Sequence, residues 1–327
     1  MERCVVNTTK IEWCHRPETG GAAGAKTWNP IRARMKREHI SNPAYRPSHS
    51  GTFCTRISPG CTHCYASAIN KRFGNGLDYT VPNLEKIEFF IDERILAEPL
   101  KAKKPHTIFV GDMFDLFHEA IGPLLIAEVL DVMRRAPQHT YQLLTKRAAR
   151  MREMMTGLNV MPHVWLGVSV EDQKRADERI PLLLQTPAAV RFLSVEPQLE
   201  AVDLSHYVFD RQVEVRHLVN GPACLNFDQA DYSVGPSIDW VIVGGESGPG
   251  ARPFNPAWAH SIIRQCALAK VPCFVKQVGS NPEWDNEYWQ GLVAPKLKDR
   301  KGGDPAEWPA ALRVREFPSQ KVESVST

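Results

Sequence analysis

Short apolar runs, each ending in a polar cluster, recur along the chain from Lys104 to Gly279, and helical patterns separate several of them. Thr107-Ile108-Phe109-Val110, within the stretch from His106 to Asp115, runs into Gly111-Asp112-Met113-Phe114-Asp115. Tyr141 to Leu144 runs into Thr145-Lys146-Arg147, Val164 to Val168 into Ser169-Val170-Glu171-Asp172, and Val190 to Leu193 into Ser194-Val195-Glu196-Pro197. Trp240 to Val243 runs into Gly244-Gly245-Glu246-Ser247-Gly248, and Cys273 to Val275 into Lys276-Gln277. Apolar runs without alternation suit strands buried on both faces. Between them, Leu124 to Arg135 carries apolar residues at 125, 126, 129, 130 and 133, a helical stripe. Asn255-Pro256 supplies a cap and a first-turn proline for a second helix, whose apolar face would hold Trp258, Ile262, Ile263 and Cys266.

Strands alternating with helices through right-handed crossovers build a parallel sheet. The pattern predicts an α/β fold, a partial or complete (β/α) barrel, with an open doubly wound sheet as the second reading. A seventh strand is expected at Thr52-Phe53-Cys54. The segment Glu200 to Ser237 interrupts the alternation and reads as an insertion. Residues 1–50 read as an N-terminal extension, 51–280 as the barrel and 281–327 as an irregular C-terminal extension with a frayed end. The polar clusters all follow their strands, so they gather at one rim, where barrels carry their chemistry. Turn and cap requirements explain Thr145 or Asp172. They explain less well Glu171, Glu196 and Glu246, each shortly past a buried run.

Composition narrows the class. The 327 residues are 43% hydrophobic and 24% charged, as in a globular protein. No apolar run is long enough to span a bilayer, and Met1 to Glu12 holds no apolar stretch, so no membrane partner and a cytoplasmic location are expected. The net charge of +3 is small, but Lys26, Arg32, Arg34, Lys36, Arg37, Arg46 and Arg56 face one acid, Glu38, with His39 and His49 in the same stretch. Such a stripe can contact phosphate, although a solvated loop explains it equally well.

The sharpest chemical signal is C-x6-C-x2-C at Cys54, Cys61 and Cys64. The eight cysteines are too unevenly spread for a disulfide scaffold, and three thiols on one Pro/Gly loop favour metal. Structural zinc takes four ligands, which His63, His49 or Cys14 could complete. Three cysteines without a fourth leave one iron of a four-iron cluster open to another molecule. Gly244-Gly245-Glu246-Ser247-Gly248-Pro249-Gly250 permits close backbone approach to a ligand, and with Arg252 nearby it suits a carboxylate or phosphate. A tight structural turn is the plainer reading. Lys146, Arg147 and Lys276 add positive charge to the rim, and each alone also reads as a salt-bridge partner.

Gly60-Cys61-Thr62-His63-Cys64-Tyr65-Ala66 resembles the cluster loop of radical S-adenosylmethionine (SAM) enzymes, with a longer first interval than the usual C-x3-C-x2-C. More closely, the chain resembles a phage-associated, three-cysteine-motif family of radical-SAM-like proteins. The matching pieces are Thr9-Lys10-Ile11-Glu12-Trp13, Thr27-Trp28-Asn29-Pro30, the cysteine loop, Val110-Gly111-Asp112-Met113, Leu143-Leu144-Thr145-Lys146-Arg147, Gly244-Gly245-Glu246-Ser247-Gly248 and Phe274-Val275-Lys276-Gln277. Ile31 to Phe53 stands as an insertion between two of these pieces. The resemblance implies a barrel of radical SAM type, a [4Fe-4S] cluster on Cys54, Cys61 and Cys64, and SAM at its open iron. It implies an external one-electron reductant. It also implies His63 near the adenine, Asp112 and Asp115 at the amino group, and Ser194 and Glu196 near the ribose. Lys146, Glu246 and Lys276 are then candidate catalytic residues, with Glu171 and Arg252, on the substrate side of the rim. A nucleic-acid or nucleotide-derived substrate is the leading expectation, and a peptide or small metabolite the alternative. From a different class, a zinc-stabilised nucleic-acid-binding protein without catalysis fits the same loop.

Overall fold

A computed structural model describes residues 7–17, 24–40, 50–208, 237–285, 288–289 and 294–318. Most of the expected insertion, the end of the tail, Arg46, His49, Cys4 and Cys224 lie outside the described residues. The strands are β1 (Asn7–Thr8), β2 (Ala25–Trp28), β3 (Ile31–Met35), β4 (Ile87–Ile91), β5 (Thr107–Val110), β6 (Thr140–Thr145), β7 (Val164–Ser169), β8 (Val190–Val195), β9 (Trp240–Gly244) and β10 (Cys273–Gln277). One sheet runs β1-β2-β5-β6-β7-β8-β9-β10. Strands β2 and β5 to β10 are all parallel, and β1 joins antiparallel at the edge. The seven parallel strands form a half-barrel surrounded by helices, the coarse form of the expected (β/α) barrel.

The six strands read between Lys104 and Gly279 are present, but the seventh is β2, not Thr52–Cys54. Gly51 makes only an isolated bridge to Ala33 of the separate β3–β4 pair. The next residue, Thr52, has its backbone held by side chains: Asn70 Oδ1 accepts from Thr52 N at 3.1 Å, and Asn75 Nδ2 donates to Thr52 O at 3.3 Å. A backbone satisfied this way needs no strand partner.

Alternation along each strand sorts the core into two faces. Outward residues such as Tyr141, Leu143, Val241 and Val243 pack under the helices, among them α2 (Pro123–Arg135) and α5 (Pro256–Ala269). Asn255 caps α5 as expected, its Oδ1 accepting from Ala257 N at 2.9 Å. Inward residues Phe109, Trp165, Phe192, Trp240, Ile242 and Phe274 pack around Trp13 and Cys14 from the N-terminal segment. The Trp13 and Phe109 rings meet edge-on at 4.7 Å, and the Arg16 guanidinium lies 4.3 Å from the centre of Trp165. Gly167 faces inward where Phe192 crosses it; a Cβ there would meet the ring at 2.5 Å. Aromatic bulk thus fills the hollow of the half-barrel and leaves polar chemistry to the strand ends. At the far edge, Val275 N donates to Val314 O and Glu316 N to Cys273 O, so the C-terminal extension covers β10. No helix among the described residues is long and apolar enough to cross a membrane.

Candidate functional site

The cysteine loop starts from a small core. Phe53 is buried with Ala33, Ala66, Tyr79 and Ile87, and Cys54 and Cys64 pack against that cluster. Pro59–Cys61 makes one 3-10 turn, and Cys64 is the residue before helix α1 (Tyr65–Phe73). All three thiols are free and half-buried. Burial pushes the Cys54 thiol up to about 12, against the pull of the Arg147 guanidinium; Cys61 and Cys64 are close enough to act on it electrostatically. Arg147 Nη1 donates to Cys54 Sγ at 3.6 Å, and Ser58 Oγ lies 3.8 Å from Cys61 Sγ.

The strand ends grip this loop from several sides. After β5, the Asp112 carbonyl accepts from Tyr65 OH at 2.7 Å. After β6, Arg147 Nη2 donates to Thr55 O at 3.1 Å. After β7, Glu171 Oε1 accepts from Gly60 N at 3.3 Å. After β9, Glu246 Oε2 lies 2.9 Å from His63 Nδ1, and Arg252 Nη1 donates to Pro59 O at 2.9 Å. The cysteines therefore stand at the same mouth as the polar strand ends, as the sequence led us to expect.

The candidate residues differ in what they have left to offer. Asp115 is buried and fully occupied: its carboxylate accepts from Thr145 Oγ1, Lys146 N, Phe117 N and Arg147 Nη1. Asp112 accepts from Asn29 Nδ2 at 2.6 Å, and burial lifts its carboxyl above the ordinary value against the pull of that amide and of its own backbone N–H. Glu196 is paired with Lys276 Nζ at 2.6 Å and accepts from Gln277 Nε2 at 3.3 Å. Ser194 is buried opposite Ser169 on the inner face, and Lys146 Nζ donates to Ser169 Oγ at 3.1 Å. Glu171 is paired with Arg179 at 2.9 Å, and Glu246 with Arg252 at 2.7 Å. The expected rim of charges exists, but most of its members are paired with one another.

Of the basic stripe, Lys26 belongs to the main sheet and bonds Thr8 Oγ1, whereas Arg34 of β3 pairs with Glu88 of β4. Arg147 is the salt-bridge partner that its place in the rim allowed, paired with Asp115 and Glu119, whereas nothing in the sequence marked Arg179, Asn29 and Tyr65 as anchors. Arg179 lies inside helix α4 (Gln173–Leu184), where an arginine carries no signal of being buried.

Glu246 offers a pH test. Burial alone would raise its carboxyl, but Arg252 and His63 more than offset that and hold it at about 2. A depressed folded value stabilises fully above the unfolded value of about 4.3 and is lost as pH falls toward 2. The urea midpoint of the native protein should therefore exceed that of Glu246→Gln at pH 6, with the gap closing between about pH 4.5 and 2.5. A gap independent of pH would show that the pairing contributes nothing.

Among the described residues, no three His, Cys, Asp or Glu side chains converge to hold a single metal ion. Cys14 is buried in the inner core, in a different cluster from Cys54 and Cys64. A family whose description reads "Protein of unknown function (DUF5131)" matches residues 43–307, most of the chain and all of this site except Asn29. Comparison with curated proteins returns no match, and comparison with solved structures returns none either.

Proposed function

We propose that this chain, which belongs to the DUF5131 family, is a radical SAM enzyme acting on a nucleic-acid or nucleotide-derived substrate. One observation carries the reading: three unbridged thiols of a single loop at the mouth of a parallel half-barrel, with the Arg147 guanidinium donating to one sulfur and the Ser58 hydroxyl beside another. The donor set fits a four-iron cluster. A cube of iron and sulfide needs thiolates standing apart around it, not converging on one point, and leaves one iron without a protein ligand. Cys54, Cys61 and Cys64 would hold it, and N–H and O–H donors to their sulfurs are the usual outer support of such ligands. When bound, the cluster and SAM supply reductive cleavage of SAM to methionine and a 5′-deoxyadenosyl radical.

The chain's own residues bind and orient. Asp112, with one carboxylate oxygen engaged by Asn29, is the better partner for the amino group of SAM; Asp115, fully occupied, holds Arg147 and Thr145 in position. Ser194 and Glu196 face the ribose in this reading, with Lys276 fixing the Glu196 carboxylate. Glu246 serves the loop through His63 and Arg252, and Lys146 and Lys276 are the rim cations this reading assigns to the substrate. Arg56, exposed in the loop, and Arg72, exposed in the last turn of α1, suit a phosphate-bearing substrate. The test is anaerobic purification and reconstitution, then reduction with SAM present. Iron, sulfide and 5′-deoxyadenosine are expected. Stoichiometric zinc without sulfide would replace this reading with the zinc-stabilised binding protein.

A further inference from the structure

The guanidinium of Arg147 is nearly sealed from water, with its side chain 3% exposed, and every one of its nitrogens has a partner. Nε donates to Glu119 Oε2 at 2.8 Å, and Nη2 to Thr55 O and Oγ1 at 3.1 and 2.9 Å. Nη1 donates to Asp115 Oδ2 at 3.1 Å and to Cys54 Sγ at 3.6 Å. Asp115 is itself fixed by Thr145 and by the Lys146 and Phe117 amides, so the arginine has little room to turn. Among the described residues, no cation is bonded to the sulfur of Cys61, whose neighbour is the Ser58 hydroxyl. The three thiols are therefore unequal, and one faces a buried positive charge.

We infer that Arg147 is a potential-setting residue: it donates a charge-assisted N–H···S bond to Cys54 that makes the cluster easier to reduce. The inference rests on the radical SAM reading. On reduction the cluster takes one electron from the reductant and gains one negative charge, and no proton moves. A fixed cation on a ligand sulfur stabilises the more negative form and raises the reduction potential. Water screens it little there. Asp115, bonded to the same nitrogen that reaches the sulfur, and Glu119 both oppose the effect. The Glu119 side chain is 64% exposed, yet it binds the same guanidinium and draws positive charge away from the sulfur.

The experiment is a titration of the reconstituted protein with titanium(III) citrate, each Ti(III) giving one electron, followed by the electron paramagnetic resonance signal of the reduced cluster. Arg147→Met, with full iron and sulfide, should lower the equilibrium constant for reduction at least tenfold, about 59 mV for one electron. Arg147→Lys, which keeps the charge but not the fork, should fall between it and the native protein. Glu119→Gln, which removes a charge from an exposed side chain and leaves the Asp115 and Thr55 bonds of Arg147 in place, should shift the midpoint upward, and this shift should shrink in the Arg147→Met background. It also carries the test if Arg147→Met loses its cluster. A purely structural role would change iron content or thermal stability and leave the midpoint in place. An unchanged midpoint in a fully loaded Arg147→Met, or in Glu119→Gln, overturns this inference alone. Absence of iron and sulfide from the native protein overturns it together with the reading beneath it.

Discussion

Cys61→Ala protein, purified anaerobically and reconstituted with iron and sulfide, is expected to be colourless and to hold almost no iron. Two thiolates remain for a centre that needs three, and Ser58, beside the lost sulfur, is a poor substitute for a thiolate. Removal of an outer partner of a metal ligand costs about 10–100-fold in affinity, and removal of the ligand itself should exceed that. Cys54→Ala and Cys64→Ala should behave alike. Cys266 of α5 and Cys273 of β10 are the controls: both are buried in the outer core, in a different cluster from Cys54 and Cys64, and their replacement should leave iron content at the native level. Thermal unfolding of the metal-free form separates ligand loss from misfolding, since half-buried Cys61 contributes little to the core. A Cys61→Ala protein with a full complement of iron would end the ligand assignment.

Arg179→Met should cost about 3–5 kcal/mol of stability, because it strips a buried carboxylate of its ion-pair partner. The Glu171 side chain is 0% exposed and that of Arg179 7%. Burial opposes ionisation of Glu171, yet Lys146 and Arg179 together hold its carboxyl below the usual value. Arg179 Nη1 also donates to Ser169 O at 2.7 Å, so the variant orphans a strand-end carbonyl as well. The loop should loosen too, because the Gly60 amide leans on the same carboxylate. Replacing both partners, Arg179→Met with Glu171→Leu, should recover much of the loss, since the buried pair is then removed whole. Urea unfolding measures both variants. A single-variant loss under about 1 kcal/mol would mean that water reaches Glu171 readily.

Six parallel strands were legible because their apolar runs are continuous and stop abruptly at polar residues. β2 was not: in Ala25-Lys26-Thr27-Trp28 the two middle residues are polar and half-buried, so its pattern resembles a loop. Thr52-Phe53 misled in the opposite direction. Both are buried as strand residues would be, but asparagine side chains satisfy the Thr52 backbone, and no local pattern announces contacts made 18 and 23 residues away. The cysteines were legible from spacing alone. Their supports were not, because Arg147 and Arg179 look like any surface arginine until the fold brings carboxylates to them.

Trp240 is touched from one end of the described chain by Trp13, ring centres 6.2 Å apart, and from the other by Phe317, 5.7 Å apart. Its indole also donates to Glu316 O at 2.8 Å. During synthesis the ribosome delivers Trp13 early and Phe317 very late, so the inner core stays unfinished while the intervening strands emerge. Contacts of such wide sequence separation slow folding. Until residue 317 arrives, β10 presents a bare edge, the condition in which a nascent chain most needs a chaperone. The half-barrel is thus an assembly whose last piece is also its latch.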